Sequence, residues 1–383
     1  MTEHYQPLNS LKGGHWFKLI CGASFQHLPA VRNLTLAYTL AGADCIDVAA
    51  DPAAIAAAKE ALQVAGTIQT QAQNPRFERQ GLPWLMVSLN DGEDPHFRKA
   101  EFNPAECPVD CWRPCEKICP ATAIVFQGGG EGVSGVIDQQ CYGCGRCLPV
   151  CPSQLIYTRS YVSAPAAIAP LILQSGVDAL EIHTQIGRKT DFARLWSSIN
   201  PWVDRLKLIA ISCPDGEGLI DYLRTLYQII SPLPCPLIWQ TDGRPMSGDI
   251  GTGATRAAVK LGQKVLAAGL PGYVQLAGGT NAHTVSKLRA SGLMREGRKN
   301  LSNSQTPYIA GVAYGSYARV LLSPILEQLE TMQIDRALAI PNAITPPVAG
   351  TQTPRLTQLE AFPALLRQAV SLADSLVSQL KED

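Results

Sequence analysis

The sequence lacks a charge excess, a membrane-length apolar run, a leader-like start and a dinucleotide fingerprint. Lys and Arg total 32 against 32 Asp and Glu. That balance argues against a general binder of nucleic acid or anionic membrane, which needs a basic excess. The longest weakly polar run, 161–174, contains Pro165 and Pro170 and falls short of the ~20 residues that span a bilayer. The opening MTEHYQPLNSLKGGHW has no charged-then-apolar pattern, so a soluble, cytoplasmic protein without a membrane span is expected. No G-x-G-x-x-G joins a strand to a helix in the alternating part of the chain, which argues against a nicotinamide site.

Cysteine, by contrast, is abundant. Eight of the twelve cysteines fall between Cys107 and Cys151. The second run, Cys141-x2-Cys144-x2-Cys147-x3-Cys151-Pro152, is the bacterial ferredoxin pattern, in which three thiolates hold one cubane and the fourth reaches across to another. The first run, Cys107-x3-Cys111-x3-Cys115-x3-Cys119-Pro120, is a looser version with Val109 and Trp112 inside its wider gaps. Each Cys-Pro forces the chain out of the binding loop, because Pro fixes φ and lacks an N–H. Gly143 and Gly145 permit tight wrapping. Apolar pieces, Ala123–Phe126 and Leu155–Tyr157, follow each Cys-Pro at one offset, as a pseudo-twofold module requires. Zinc would use paired C-x2-C knuckles, and a disulfide framework does not suit a reducing cytosol. Two [4Fe–4S] clusters are therefore expected. Cys107, Cys111, Cys115 and Cys151 form the first ligand set; Cys141, Cys144, Cys147 and Cys119 form the second. The wider gaps mark the first cluster as the one labile to [3Fe–4S].

The rest of the chain alternates. Short apolar strands are predicted at 17–21, 45–49, 84–89, 179–183, 206–211, 236–240, 273–276 and 308–312, each followed by a helical pattern. Eight such units fit a (β/α)8-type α/β barrel; an open doubly wound α/β sheet is the alternative. The predicted division is 1–99, three βα units; 100–160, an inserted two-cluster ferredoxin module; 161–335, the rest of the barrel; and 336–383, a Pro-rich linker and C-terminal helix. Residues 1–15 read as a polar lead-in. The insertion lies in a βα loop, and βα loops line the face where barrel active sites form, so the clusters are expected over or beside the barrel mouth.

That mouth gathers further candidates for an anion or ligand site: His183, Asp242, Arg244, Asp249, the loop Gly278-Gly279-Thr280 and the turn Gly315-Ser316. Glycine-rich loops after the last two strands can hold phosphate through backbone N–H groups. A short βα turn also takes Gly for geometry alone, and a strand-end His is often a hydrogen-bonded structural one. Cys21, Cys45, Cys213 and Cys235 are isolated and read as core thiols.

The opening FKLICGASFQHLPAVRNLTLAYTLAGADCIDVAADPAAI, the cysteine module and QTDGRPMSGDIGTGATRAAVKLG carry a further likeness. Through them the chain resembles the light-dependent-period family of iron–sulfur proteins of the cyanobacterial circadian clock. The opening stretch and YVQLAGGTN are also similar to a plastid-encoded family of unknown function. The first resemblance implies a redox sensor or electron-transfer regulator that feeds light-dependent redox state into the clock and modulates its period. It implies clock input proteins as partners, with a redox partner in a reduced electron carrier or the quinone pool. It does not imply a barrel activity, and no acid/base constellation is apparent, which weighs against an enzyme. The competing class is an oxidoreductase whose barrel binds a phosphorylated ligand or flavin and receives electrons from the module.

Overall fold

A computed structural model describes residues 7–71, 81–92, 97–119, 121–126, 134–141, 143, 145–160, 174–243, 254–295, 307–338 and 358–381. Its strands, in chain order, begin with β1 Trp16–Ile20, β2 Cys45–Ala49 and β3 Trp84–Asn90. Four short ones follow: β4 Arg98–Glu101, β5 Ile124–Val125, β6 Gly135–Val136 and β7 Tyr157–Ser160. The last five are β8 Ala179–His183, β9 Leu208–Pro214, β10 Leu237–Asp242, β11 Tyr273–Ala277 and β12 Gly311–Tyr314. Eight of them close a parallel barrel in the order β1-β12-β11-β10-β9-β8-β3-β2. The barrel expectation therefore holds and the open sheet is excluded. All eight expected strands are present, the last beginning at Gly311 rather than Tyr308.

Alternation along each strand divides the core. Phe17, Leu19, Ile46, Val48, Val87, Leu89, Leu180 and Ile182 belong to the large apolar cluster shared with the surrounding helices. A second cluster fills the N-terminal half of the barrel with Trp16, Cys45, Met86, Ala179, Leu208 and Ile238. Leu11 belongs to it and is fully buried. It comes from a helix, Pro7–Gly13, where the sequence reads as polar lead-in; one apolar side chain in a polar stretch suffices to plug the barrel floor.

Helix Leu28–Ala41 ends as expected at Gly42, whose φ of 96° is left-handed, the usual C-cap geometry. Helix Ser316–Leu338 runs through Pro324. Pro324 cannot donate to the carbonyl of Val320, and the Ser323 hydroxyl donates to it instead at 2.9 Å. The C-terminal helix Pro363–Lys381 and the turn before it are tied to the start of the chain. Arg32 donates to both oxygens of Glu360 at 2.9 and 2.5 Å. Lys381 Nζ pairs with Asp44 at 2.5 Å, and His15 Nδ1 lies 3.0 Å from the carbonyl of Leu380.

The stretch between β3 and β8 contains two small antiparallel pairs, β4 with β7 and β5 with β6. The expected boundary at residue 100 falls inside β4, whose partner β7 ends at Ser160. Of the expected Pro-rich linker and C-terminal helix over 336–383, residues 339–357 lie outside the described residues.

Candidate metal centre and barrel mouth

The two halves of the cysteine module share one local geometry. A short helix, Pro114–Ile118, precedes Cys119, and another, Cys147–Val150, precedes Cys151. Both cysteines are extended, with φ, ψ of −70°, 110° and −72°, 111°. Three residues on, Thr122 and Gln154 both take positive φ, 46° and 51°, and each donates its N–H to its cysteine's carbonyl, at 3.2 and 3.1 Å. Five residues on, Ile124 and Ile156 are both buried in the module's own core. The repeat seen in sequence is thus a repeat in backbone conformation. Gly143 and Gly145, at φ of 71° and 73°, make the left-handed turns between thiols of the second run.

The thiols fall into two groups. Cys111, Cys115 and Cys151 all lie close enough to Cys107 to act on it electrostatically. Burial, then Cys111, pushes the Cys107 thiol up; burial also pushes up Cys115. Cys119, Cys141 and Cys147 line a separate small cavity with Gly143, Gly145 and Ile124. Cys144, between those residues in sequence, lies outside the described residues. Backbone N–H groups point at two of these sulfurs, Ala100 N–H to Cys141 and Ala123 N–H to Cys119, both at 3.3 Å.

The eleven described cysteines are all free thiols. Among the described residues no three His, Cys, Asp or Glu side chains stand close enough to share a single metal ion. A cluster differs from a single ion in holding its thiolates apart at four corners. All-sulfur donors, N–H groups aimed at sulfur and apolar walls suit an iron–sulfur group, whose potential such features set.

The module meets the barrel at its C-terminal end. Lys99, buried at the start of β4, donates to Gln26 Oε1 at 2.9 Å, to the Asp138 carbonyl at 2.6 Å and to Asp138 Oδ2 at 3.1 Å. Gln26 sits in the loop after β1; its amide donates to Asp51 at 3.1 Å, and its backbone N–H donates to the Gln139 carbonyl at 3.1 Å. Phe97, the residue before β4, packs edge-on against His183 at 5.3 Å.

Below that junction, the C-terminal half of the barrel interior is ionic. Lys18 on β1 pairs with Asp47 on β2 at 2.9 Å and with Glu181 on β8, and donates to Gln240 on β10 at 3.0 Å. Gln240 donates to Glu181 at 2.6 Å and Gln275 donates to Gln240 at 2.6 Å. Trp16 donates to Gln275 at 2.6 Å, Ser88 to Asp47 at 2.9 Å and Ser212 to Asp242. His183 Nε2 lies 2.8 Å from Glu181. Register explains the assembly: Ser88 is beside Glu181, His183 beside Ser212, and Ser212 beside Gln240. Burial pushes both carboxylates up, but Lys18 and His183 outweigh it for Glu181 and hold it at about 2. Asp47 shares the same cation with a second carboxylate beside it and ends raised, at about 6. Burial pushes Lys18 down, yet Asp47 and Glu181 together hold its ammonium charged, above the usual lysine range.

Of the sequence candidates, His183 and Asp242 stand in this network. Gly278 and Gly279 take left-handed φ of 62° and 95°, and Thr280 donates to the Ala313 carbonyl at 2.6 Å. Gly315 precedes Ser316, which accepts from Arg319 at 3.2 Å. Arg244 and Asp249 lie outside the described residues. Sequence reading missed Lys18, Asp47 and Glu181, although the signal was present: a single charge in each of F-K-L-I, C-I-D-V-A and A-L-E-I-H.

Comparison with known proteins follows this division. A profile of the LdpA Fe–S cluster-binding domain matches residues 107–162. A profile of the light dependent period A C-terminal domain matches residues 171–379. Light dependent period A of Synechococcus elongatus is 46% identical over 376 residues, covering 98% of this chain and 94% of that protein. Among solved structures, a Pseudomonas aeruginosa protein described as a dihydrodipicolinate synthetase aligns over 94% of this chain and 83% of its own, at TM-score 0.32 and 10% identity. So slight a likeness adds nothing to the strand topology.

Proposed function

The chain belongs to the light dependent period A family, and from that premise we propose that it is an iron–sulfur redox sensor reporting cellular redox state to the circadian clock. In this reading Cys107, Cys111, Cys115 and Cys151 hold one [4Fe–4S] cluster, and Cys141, Cys144, Cys147 and Cys119 hold the other. Such a group supplies one-electron transfer. The observation that carries the reading is the repeated backbone geometry at Cys119 and Cys151, with N–H groups aimed at the Cys119 and Cys141 sulfurs; Cys107, Cys111, Cys115 and Cys151 lie within electrostatic reach of one another, and Cys119, Cys141 and Cys147 line one cavity.

The chain's own residues provide the readout. Ala100 N–H bonds to the Cys141 sulfur, and its neighbour Lys99 bonds across to Gln26 on the barrel. Added negative charge on the Cys141 side attracts the Lys99 ammonium across the strand, in competition with its bonds to Gln26 and Asp138. Module and barrel thereby become coupled through one buried cation, and a partner that contacts both can distinguish the two charge states. Iron and acid-labile sulfide measured after anaerobic purification test the ligand sets: about eight irons per chain are expected for two cubanes. Zinc with little iron overturns the reading. A redox titration followed by EPR tests the sensing.

A second reading, a barrel oxidoreductase fed by the module, is favoured by the ionic network Lys18–Asp47–Glu181–His183. Perturbed ionisable groups gather at functional sites, and this set occupies the half of the barrel where such sites form. An absorbance spectrum separates the readings. Iron–sulfur bands alone support the sensor; an additional flavin spectrum supports the enzyme.

A further inference from the structure

Where the module rests on the barrel, a cleft opens between three segments: the loop and helix after β1, the long helix Ser316–Leu338, and the module itself. It holds about 610 Å³ of empty space, counting a mouth open to solvent, within the roughly 300–1,000 Å³ of small-molecule sites. Its walls are mainly apolar: Phe25, Ala30 and Leu34 from the first segment, Val320 and Leu326 from the second, Ala121 from the third. The Phe25 and His27 rings, both on the wall, stand 6.2 Å apart at 50°. The module's share is short. Ala121 and Thr122 follow Cys119, and Gln140 precedes Cys141. An occupant would therefore touch both the barrel and the chain beside two thiols.

The polar groups decide what such an occupant carries. Arg319 is buried, and its guanidinium donates to the Ile20 carbonyl at 2.9 Å, the Cys21 carbonyl at 3.1 Å and the Ser316 hydroxyl at 3.2 Å. That cation secures the end of β1. Ser323 is bonded within its own helix, to the Val320 carbonyl. His27 Nε2 lies 3.9 Å from Glu330. Burial pushes the His27 imidazole down, against the pull of Glu330, so the ring is mainly neutral at pH 7. Glu327 is exposed and the Glu330 side chain is 45% exposed; both carboxylates reach water at the mouth. Gln140 differs. Its Oε1 is shut off from solvent and accepts no hydrogen bond among the described residues. A buried acceptor without a donor is costly, and a ligand that supplies the donor recovers that cost.

We propose that this cleft binds a small, uncharged, partly aromatic molecule through one N–H or O–H that donates to Gln140 Oε1. Apolar walls give the affinity and the single acceptor fixes the orientation. A charged ligand would lose its water without gaining a buried partner, because the charges here are bonded to the protein or stand at the mouth. The proposal does not depend on what the neighbouring thiols hold.

Indole, a neutral aromatic with one N–H, is a suitable probe, and 1-methylindole is its counterpart without the donor. Each is equilibrated by dialysis against the full chain, purified anaerobically. Indole should saturate one site with a Kd of about 1 mM or tighter, and 1-methylindole should bind about tenfold or more weakly. Gln140→Leu should bring the two probes to within about twofold of each other. Ala30→Phe fills the cleft from the barrel side and should lose both probes, with its melting temperature and iron content compared against the parent's. Indole that does not saturate, or parent affinities for the two probes within about twofold, overturn the proposal. A tenfold preference that persists in Gln140→Leu also overturns it, since the added methyl would then act by bulk alone. Indole binding unchanged in a folded Ala30→Phe places the site elsewhere and overturns it too. The contrast between the two probes on the parent chain decides the matter even if a variant fails to fold.

Discussion

Lys18→Met should leave two carboxylates buried in the barrel with no cation between them. In the native chain Glu181 is held at about 2, against 4.5 for the ordinary side chain. At about 1.4 kcal/mol for each tenfold in proton affinity, that displacement represents roughly 3 kcal/mol. Because the folded value is depressed, this stabilisation is present above pH 4.5 and lost as pH falls towards 2. Asp47 acts in the opposite sense. Its folded value, about 6, is above the ordinary 3.8, so its contribution is present below 3.8 and lost as pH rises through 6. With Lys18 gone, burial and mutual repulsion are opposed only by His183 and Gln240 at Glu181 and by Ser88 at Asp47, and both carboxylates take up protons more readily. Breaking a buried pair from one side costs about 3–5 kcal/mol, and here the cost should be largest where both acids must ionise. Urea unfolding at about pH 8 should show a deficit of about 3–5 kcal/mol, shrinking towards about pH 5. Adding Glu181→Gln to Lys18→Met should recover part of the loss. A deficit under about 1 kcal/mol at the higher pH, the same deficit at both, or no recovery in the double variant would refute the reasoning.

Lys99→Met removes the donor that joins Gln26 to Asp138 and should lower stability by about 1–3 kcal/mol in denaturant unfolding; Lys99→Arg should retain part of it. Mild air exposure should release iron first from the set around Cys107, Cys111, Cys115 and Cys151, giving a three-iron EPR signal. That signal should survive Cys144→Ala and vanish in Cys111→Ala; equal decay of both sets would count against it. Replacing residues 98–160 with a short linker should leave a barrel that still melts cooperatively. The basis is that β3 and β8 pair directly from Met86↔Ala179 to Asn90↔His183, and changes in loop length cost little entropy. A broad, non-cooperative melt would show that the barrel depends on the module.

The barrel was legible because its strands announce themselves twice, as short apolar runs and as the starts of βα units. The cysteine module was legible because ligand spacing is local in sequence: Cys119 and Cys151 share a backbone geometry that their identical Cys-Pro contexts already encode. The ionic interior was not read, although its members were visible. Lys18, Asp47 and Glu181 lie far apart in sequence, and each passes for a tolerated charge within an apolar strand. Only closure of the sheet brings their inward positions to one level. His183 was found because it ends a strand and Asp242 because it opens a polar loop, yet their partners Glu181 and Ser212 were not. Leu11 was missed for a different reason: a single side chain plugging a barrel floor leaves no periodicity to detect.

The ties between the chain's two ends set a timetable for its synthesis. Asp44 waits for Lys381, Arg32 for Glu360 and His15 for the Leu380 carbonyl, so these bonds form only after residue 381 has been made. The cysteine module is finished at Ser160, and its pairings, β4 with β7 and β5 with β6, are made within its own sequence. At about 5–20 residues per second, the stretch from Cys151 to Lys381 takes the ribosome roughly ten to fifty seconds. During that interval the thiols are available to an iron donor while the barrel below them is still open. Metal loading thus has a head start over closure, and nascent chains arrested about forty residues beyond the module should already carry iron once their thiols have cleared the exit tunnel.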